Sequence, residues 1–224
     1  MQNLILLTLL PLICLTGCQD RLPDTPQSYL ALGDSYTIGE SVPETERWPV
    51  LLTASLRSMG QNIADPRIVA RTGWTTSELS AAIEQAQISD TFELVSLLIG
   101  VNNQYRRYPI ARYETEFTQL LETALAFAGG RKERVFVLSI PDYGVTPFGQ
   151  QRNPAQIATE LDQYNQVART ICASYEVAFY DITPISREAL SDSSLIADDG
   201  LHPSGKMYAR WVSLIEKEVK KQLR

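Results

Sequence analysis

From Ser28 onward, short apolar runs alternate with longer segments whose apolar residues recur at helical spacing, and this alternation constrains the fold more than any other feature. The runs are Leu30–Gly33, Pro66–Ala70, Phe92–Ile99, Arg134–Ile140 and Val177–Tyr180. FELVSLLI and RVFVLSI, the third and fourth, are almost continuously apolar, as strands covered on both faces must be. Between them, Trp48–Met59, Thr75–Gln87, Tyr113–Ala128, Pro154–Tyr175 and Pro203–Leu223 read as helices. Thr75-Thr76-Ser77-Glu78 opens one of these with a capping box, in which threonine and glutamate satisfy each other's free backbone donors. The alternation shows no internal repeat and no linker, which predicts one α/β domain with a parallel sheet and helices on both faces. In such open sheets ligands bind beyond the carboxyl ends of the strands, so chemistry is sought just after each run.

Four groups stand there: Gly33-Asp34-Ser35, Arg71-Thr72-Gly73-Trp74, Gly100-Val101-Asn102-Asn103 and, before the last helix, Asp198-Asp199-Gly200-Leu201-His202-Pro203. A serine hydroxyl is a weak nucleophile until a base removes its proton, so Ser35 needs an imidazole. His202 is the one imidazole in the chain. The base in turn needs an acceptor on Nδ1 to fix its tautomer. Asp199, three residues earlier across Gly200, suits that role better than Asp198, while Asp34 reads as a local turn acceptor. The backbone N–H groups of Ser35 and Gly73 and the side-chain amide of Asn102 are candidate donors to a tetrahedral oxyanion.

Taken together and in this order, the four blocks resemble the GDSL, or SGNH, hydrolases, over Leu30 to His202. The resemblance implies a flavodoxin-like three-layer α/β/α sandwich with a parallel sheet. It implies hydrolysis of carboxylic esters or thioesters of lipids, acyl carriers or acetylated sugars through an acyl-enzyme, with no metal and no cofactor. Carried over, Ser35 is the nucleophile, His202 the base and then acid, and Asp199 its orienter; the Ser35, Gly73 and Asn102 N–H groups form the oxyanion hole. Two positions depart from the family pattern. Tyr36 replaces a leucine that packs rather than reacts, and Asn103 stands where aspartate is commoner, which bears on a loop-ordering contact rather than on the oxyanion donor. The substrate wall is expected from Trp74, Asn103, Tyr105 and Tyr143, with the loops around 103–113 and 142–153 contributing Arg106, Arg107, Tyr108 and Phe148. The opposite reading of those loops is that their aromatics only cover the sheet edge.

The beginning of the chain differs in kind. Met1–Thr16 is uncharged and strongly apolar but shorter than the ~20 residues of a membrane span, which makes it a secretory signal core. No Lys or Arg precedes it, a departure from the usual basic start. Leu15-Thr16-Gly17-Cys18 resembles the bacterial lipobox, which implies a signal peptide at 1–17, lipid on Cys18, a polar tether at 18–27 and the hydrolase domain at 28–224. The expected location is then outside the cytoplasm, anchored to a membrane in the periplasm or at the cell surface. Cys172 remains alone at an apolar helix position, a buried structural thiol, and with a single histidine a Cys/His metal site is not expected. Twenty Lys and Arg against 26 Asp and Glu give a net charge of −6, without the basic clustering that nucleic acid requires. The partner expected is a small-molecule ester. The rival from another class is a non-catalytic surface lipoprotein that binds glycans on the same fold.

Overall fold

The computed structural model describes residues 25–223; the expected signal segment, Cys18 and most of the expected tether lie outside them. Gln27, placed in the tether by its sequence, already belongs to the domain. Its N–H donates to the Asn62 carbonyl at 2.7 Å, its carbonyl accepts from Ala64 at 2.9 Å, and its side chain reaches the Leu223 carbonyl.

Strand β1 (Tyr29–Gly33) runs into a four-residue helix α1 (Ser35–Ile38), followed by α2 (Trp48–Ser58), β2 (Arg67–Ala70) and α3 (Thr76–Gln85). Next come β3 (Leu94–Leu98), α4 (Val101–Tyr105), α5 (Ile110–Phe127), β4 (Val135–Leu138), α6 (Pro147–Gln150) and α7 (Pro154–Ser174). The chain ends with β5 (Ala178–Tyr180), α8 (Thr183–Arg187) and α9 (Gly205–Gln222). The strands form one parallel sheet in the order β2-β1-β3-β4-β5. Helix α2 packs against α9, and α5 packs against both α3 and α7, giving a helical layer on each face. The three central strands β1, β3 and β4 are buried throughout, while the edge strands β2 and β5 are partly exposed. The near-continuous apolar runs are therefore the middle of the sheet.

Packing of the outer layers follows the helical period. Helix α9 buries Met207, Trp211, Ile215 and Val219, and α2 buries Trp48, Leu52 and Leu56. Full burial of such side chains stabilises by about 1.5–3 kcal/mol each. The capping box forms as expected, with Thr75 N–H donating to Glu78 Oε2 at 2.8 Å. Cys172 is fully buried and free, and burial pushes its thiol up to about 12.

The register places the site. Gly33 lies level with Ala70 on one side and Leu98 on the other, so β1, β2 and β3 end on one line. The chain passes from β1 to β2 on one flank and then returns to β3 on the other. This reversal opens a crevice at the carboxyl end of β1 and β3. Gly100 turns the chain out of β3 at φ 130°, where a Cβ would sit 2.6 Å from Tyr113 and 2.9 Å from Ile140. Only glycine permits both the conformation and the approach.

Candidate active site

Ser35 is the first residue of α1, directly beyond the end of β1. Asp34 caps that turn, its Oδ1 accepting the Tyr36 N–H at 3.1 Å, which is the local acceptor role its sequence suggested. Burial adds something further: Asp34 is fully enclosed, Oδ2 has no hydrogen-bond partner, and the carboxyl is pushed up to about 7 by desolvation despite the backbone donors. The folded protein thus holds a proton that the unfolded chain releases near 3.8. Stability that Asp34 permits at low pH is lost as pH rises toward 7. Asp34→Asn keeps the acceptor for Tyr36 and removes the titration. It is expected to stabilise by about 4 kcal/mol at pH 8 and by under about 1 kcal/mol at pH 4. Denaturant unfolding at the two pH values reads the difference, and equal gains would refute it.

His202 is 8 % exposed and packs its ring edge-on to Tyr36, with centroids 5.9 Å apart. Its Nδ1 lies 2.5 Å from Asp199 Oδ2. The turn through Gly200 folds Asp199 back on itself, so that Oδ1 accepts the N–H groups of Leu201 and His202, each at 2.9 Å. Ser41, at φ 65° in the loop after α1, donates its hydroxyl to Asp199 Oδ2 at 2.7 Å. Partial burial would raise the Asp199 carboxyl, but the His202 ring and backbone, Ser41 and Leu201 together hold it well below the usual carboxylate range. A carboxylate so held stays ionised and able to orient an imidazole throughout the physiological range.

Gly73 sits at φ 86° in the loop after β2, where an added Cβ would make only ordinary contact with Arg106 Nη2 at 3.9 Å. Among the described residues neither its N–H nor that of Ser35 donates to a protein acceptor. Asn102 donates one amide hydrogen to the Trp74 carbonyl at 2.9 Å, which leaves the other unspent. Arg106 locks the same loop: its guanidinium donates to the Gly73 carbonyl at 2.7 Å and to Glu78 Oε1 at 3.2 Å. Partial burial works against ionisation of Glu78, yet the Thr75 donors and Arg106 hold its carboxyl below the usual value. Arg106 is thereby committed to the scaffold and not to a ligand.

Ser35, Asn102 and His202 line one cavity of about 150 Å³ with Tyr105, Tyr143 and Phe148. Two of the four expected wall residues are therefore there, and two are not. Asn103 is fully buried, with Oδ1 accepting from Thr76 N–H at 3.0 Å and Nδ2 donating to Thr76 Oγ1 at 2.6 Å. The Thr76 hydroxyl spends its proton on Glu116, so it needs a donor at that spot, which an amide supplies and a carboxylate does not. Asn103 is thus the loop-ordering contact rather than a substrate wall. Trp74 is half-buried against the core and does not line the cavity; its carbonyl anchors Asn102 instead. Sequence reasoning missed Ser41, since a lone serine in a loop carries no pattern. It also missed Gln104, whose Oε1 accepts from the Tyr143 hydroxyl at 3.0 Å.

Similarities to known proteins fit this architecture. The family profile described as GDSL-like lipase/acylhydrolase matches residues 31–210. An acetylxylan esterase of Geobacillus stearothermophilus is 25 % identical over 201 residues, covering 85 % of this chain and 83 % of the relative. Among solved structures, the lipase/acylhydrolase from Enterococcus faecalis superposes with a TM-score of 0.70 at 21 % identity, over 88 % of this chain and 97 % of that one. TesA superposes with a TM-score of 0.70 at 17 % identity, over 88 % and 99 %. At these identities the superpositions show a shared fold. With the profile spanning most of the chain, the protein belongs to the GDSL-like lipase/acylhydrolase family.

Proposed function

We propose that this carboxylic ester hydrolase works through Ser35, His202 and Asp199, with the N–H groups of Ser35 and Gly73 and the Asn102 amide as its oxyanion hole. His202 Nε2 takes the Ser35 proton as Oγ bonds to the ester carbonyl carbon. The tetrahedral oxyanion is met by the three donors. On its collapse the carbon–oxygen bond to the alcohol breaks, and His202 delivers the proton to the departing oxygen. Water then repeats the sequence on the acyl-enzyme, returning the acid and free Ser35.

The observation that carries this reading is the arrangement at one sheet edge: three N–H donors with spare capacity, and the only imidazole held at Nδ1 by an ionised carboxylate. A glycan-binding lipoprotein on the same fold has no use for that arrangement. A fluorophosphonate probe distinguishes the two, since it phosphonylates only an activated hydroxyl. Labelling confined to Ser35 is the expected outcome, and an unlabelled protein would point to the binder.

The acyl part of the substrate meets a small cavity with aromatic walls, and the relative named as an acetylxylan esterase supports an acetyl or other short acyl group. Export with a lipid anchor on Cys18 rests on the lipobox-like LTGC alone. Mass spectrometry of the mature N-terminus reads it: a diacylglyceryl cysteine is expected, and an unmodified start at Gln19 would refute it.

A further inference from the structure

A second cavity adjoins the Ser35 cavity across a shared wall formed by Tyr105 and Tyr143. It is larger, about 280 Å³ against about 150 Å³, and differs in chemistry. Gln104, Arg107, Arg152, Gln156 and Glu160 line it. We infer that this cavity holds the alcohol half of the ester, and that this alcohol is a hydroxyl-rich, carbohydrate-type group. The inference rests on the esterase reading above and deepens it by naming the substrate class.

The side chains are already arranged around Glu160. Gln104 Nε2 donates to its Oε2 at 2.6 Å, and Gln156 Nε2 donates to its Oε1 at 2.7 Å. Gln104 also accepts from the Tyr143 hydroxyl, so a hydrogen-bond chain runs from the wall of the catalytic cavity to the polar one. Among the described residues Glu160 forms no ion pair, and the Arg107 guanidinium has no acceptor although its backbone is held at φ 58°. Arg152 sits over Phe148 with Cζ 3.4 Å from the ring centroid, and donates to the Phe148 carbonyl and weakly to the Tyr105 hydroxyl.

The occupant follows from this mix. A fatty chain would strip water from two guanidiniums and a carboxylate and return no hydrogen bond. A phosphate would suit the arginines but would face the Glu160 carboxylate. A hydroxyl group donates to Glu160 and accepts from Arg107 or a glutamine amide, so a polyol satisfies both kinds of group at once. Tyr105, 48 % exposed and standing between the cavities, offers a ring face as a platform beside the scissile bond.

The test separates binding from turnover. Xylotriose and cellotriose are titrated calorimetrically into the full chain and into Arg107→Ala, Gln156→Ala and the double variant, and p-nitrophenyl acetate turnover is measured on each. Both substitutions are on the surface and outside the triad. The double variant is expected to bind at least one of the sugars about tenfold more weakly, from two lost hydrogen bonds. Absence of sugar binding by the parent chain, or equal binding by parent and variants, would overturn the inference. So would binding of lysophosphatidylcholine that the double variant abolishes. Sugar binding that depends on Arg107 and Gln156, in a chain that hydrolyses no ester, would refute the Ser35 mechanism and leave the carbohydrate site standing.

Discussion

Replacing Ser35 with alanine is expected to lower kcat for p-nitrophenyl acetate by on the order of 10⁵–10⁶-fold, the loss seen when the nucleophile of a serine triad is removed from a protease. The change touches little else. Ser35 is 5 % exposed, and among the described residues its hydroxyl has no hydrogen-bond partner, so its removal leaves no acceptor or donor stranded. The substitution deletes a single oxygen and strands no partner, so the change in stability stays within about 1 kcal/mol. The variant should therefore unfold near the parent temperature, keep its sugar affinity and lose fluorophosphonate labelling. Asp34, whose N-cap bond to Tyr36 sets the turn, holds the backbone in place whether or not the hydroxyl is present. Turnover retained at more than about one part in a hundred would exclude Ser35 as the nucleophile, because no residual effect of the oxyanion donors reaches that level.

How much of this was legible in the sequence depends on what each feature's signal is made of. The strands and long helices were, because burial on two faces leaves continuous apolar runs and burial on one leaves a 3.6-residue period. Leu94–Leu98 and Thr76–Gln85 lie within the segments read as strand and helix. The short helices α1, α4, α6 and α8 were not, since four or five residues are too few to display a period. Yet α1 and α4 carry Ser35 and Asn102 past the ends of β1 and β3. The acid–histidine turn was readable from spacing, since three residues across a glycine suffice to bring a carboxylate to a ring. Partners distant in sequence were not readable. Ser41 reaches Asp199 over 158 positions, Arg106 reaches Gly73 over 33, and Gln104 reaches Glu160 over 56. The same limit explains Asn103 and Trp74. Residue type made each a plausible wall, but the direction of the side chain is fixed by Thr76 and by the core, which belong to other segments.

The second large effect concerns the orienter. Asp199→Asn is expected to reduce kcat by about 10⁴-fold near neutral pH, far more than the loss of one hydrogen bond would suggest. The reason lies in which oxygens are already spoken for. Oδ1 accepts two backbone N–H groups, from Leu201 and His202, and Oδ2 accepts from His202 Nδ1 and from Ser41. An asparagine must keep its carbonyl on the backbone pair, since an NH₂ there would oppose two donors. Its amide nitrogen then faces His202 Nδ1 and donates to it. The imidazole responds by carrying its proton on Nε2, the nitrogen that has to accept from Ser35, so the base is blocked by tautomer rather than displaced. Two controls isolate this cause. Asp198→Asn, an exposed neighbour with no bond to the ring, should leave turnover unchanged. Ser41→Ala removes one donor from the carboxylate without altering the tautomer, and should cost no more than about tenfold. If Asp199→Asn and Ser41→Ala lowered kcat equally, Asp199 would be acting through loop geometry alone. An asparagine variant with parent activity would remove it from the triad altogether.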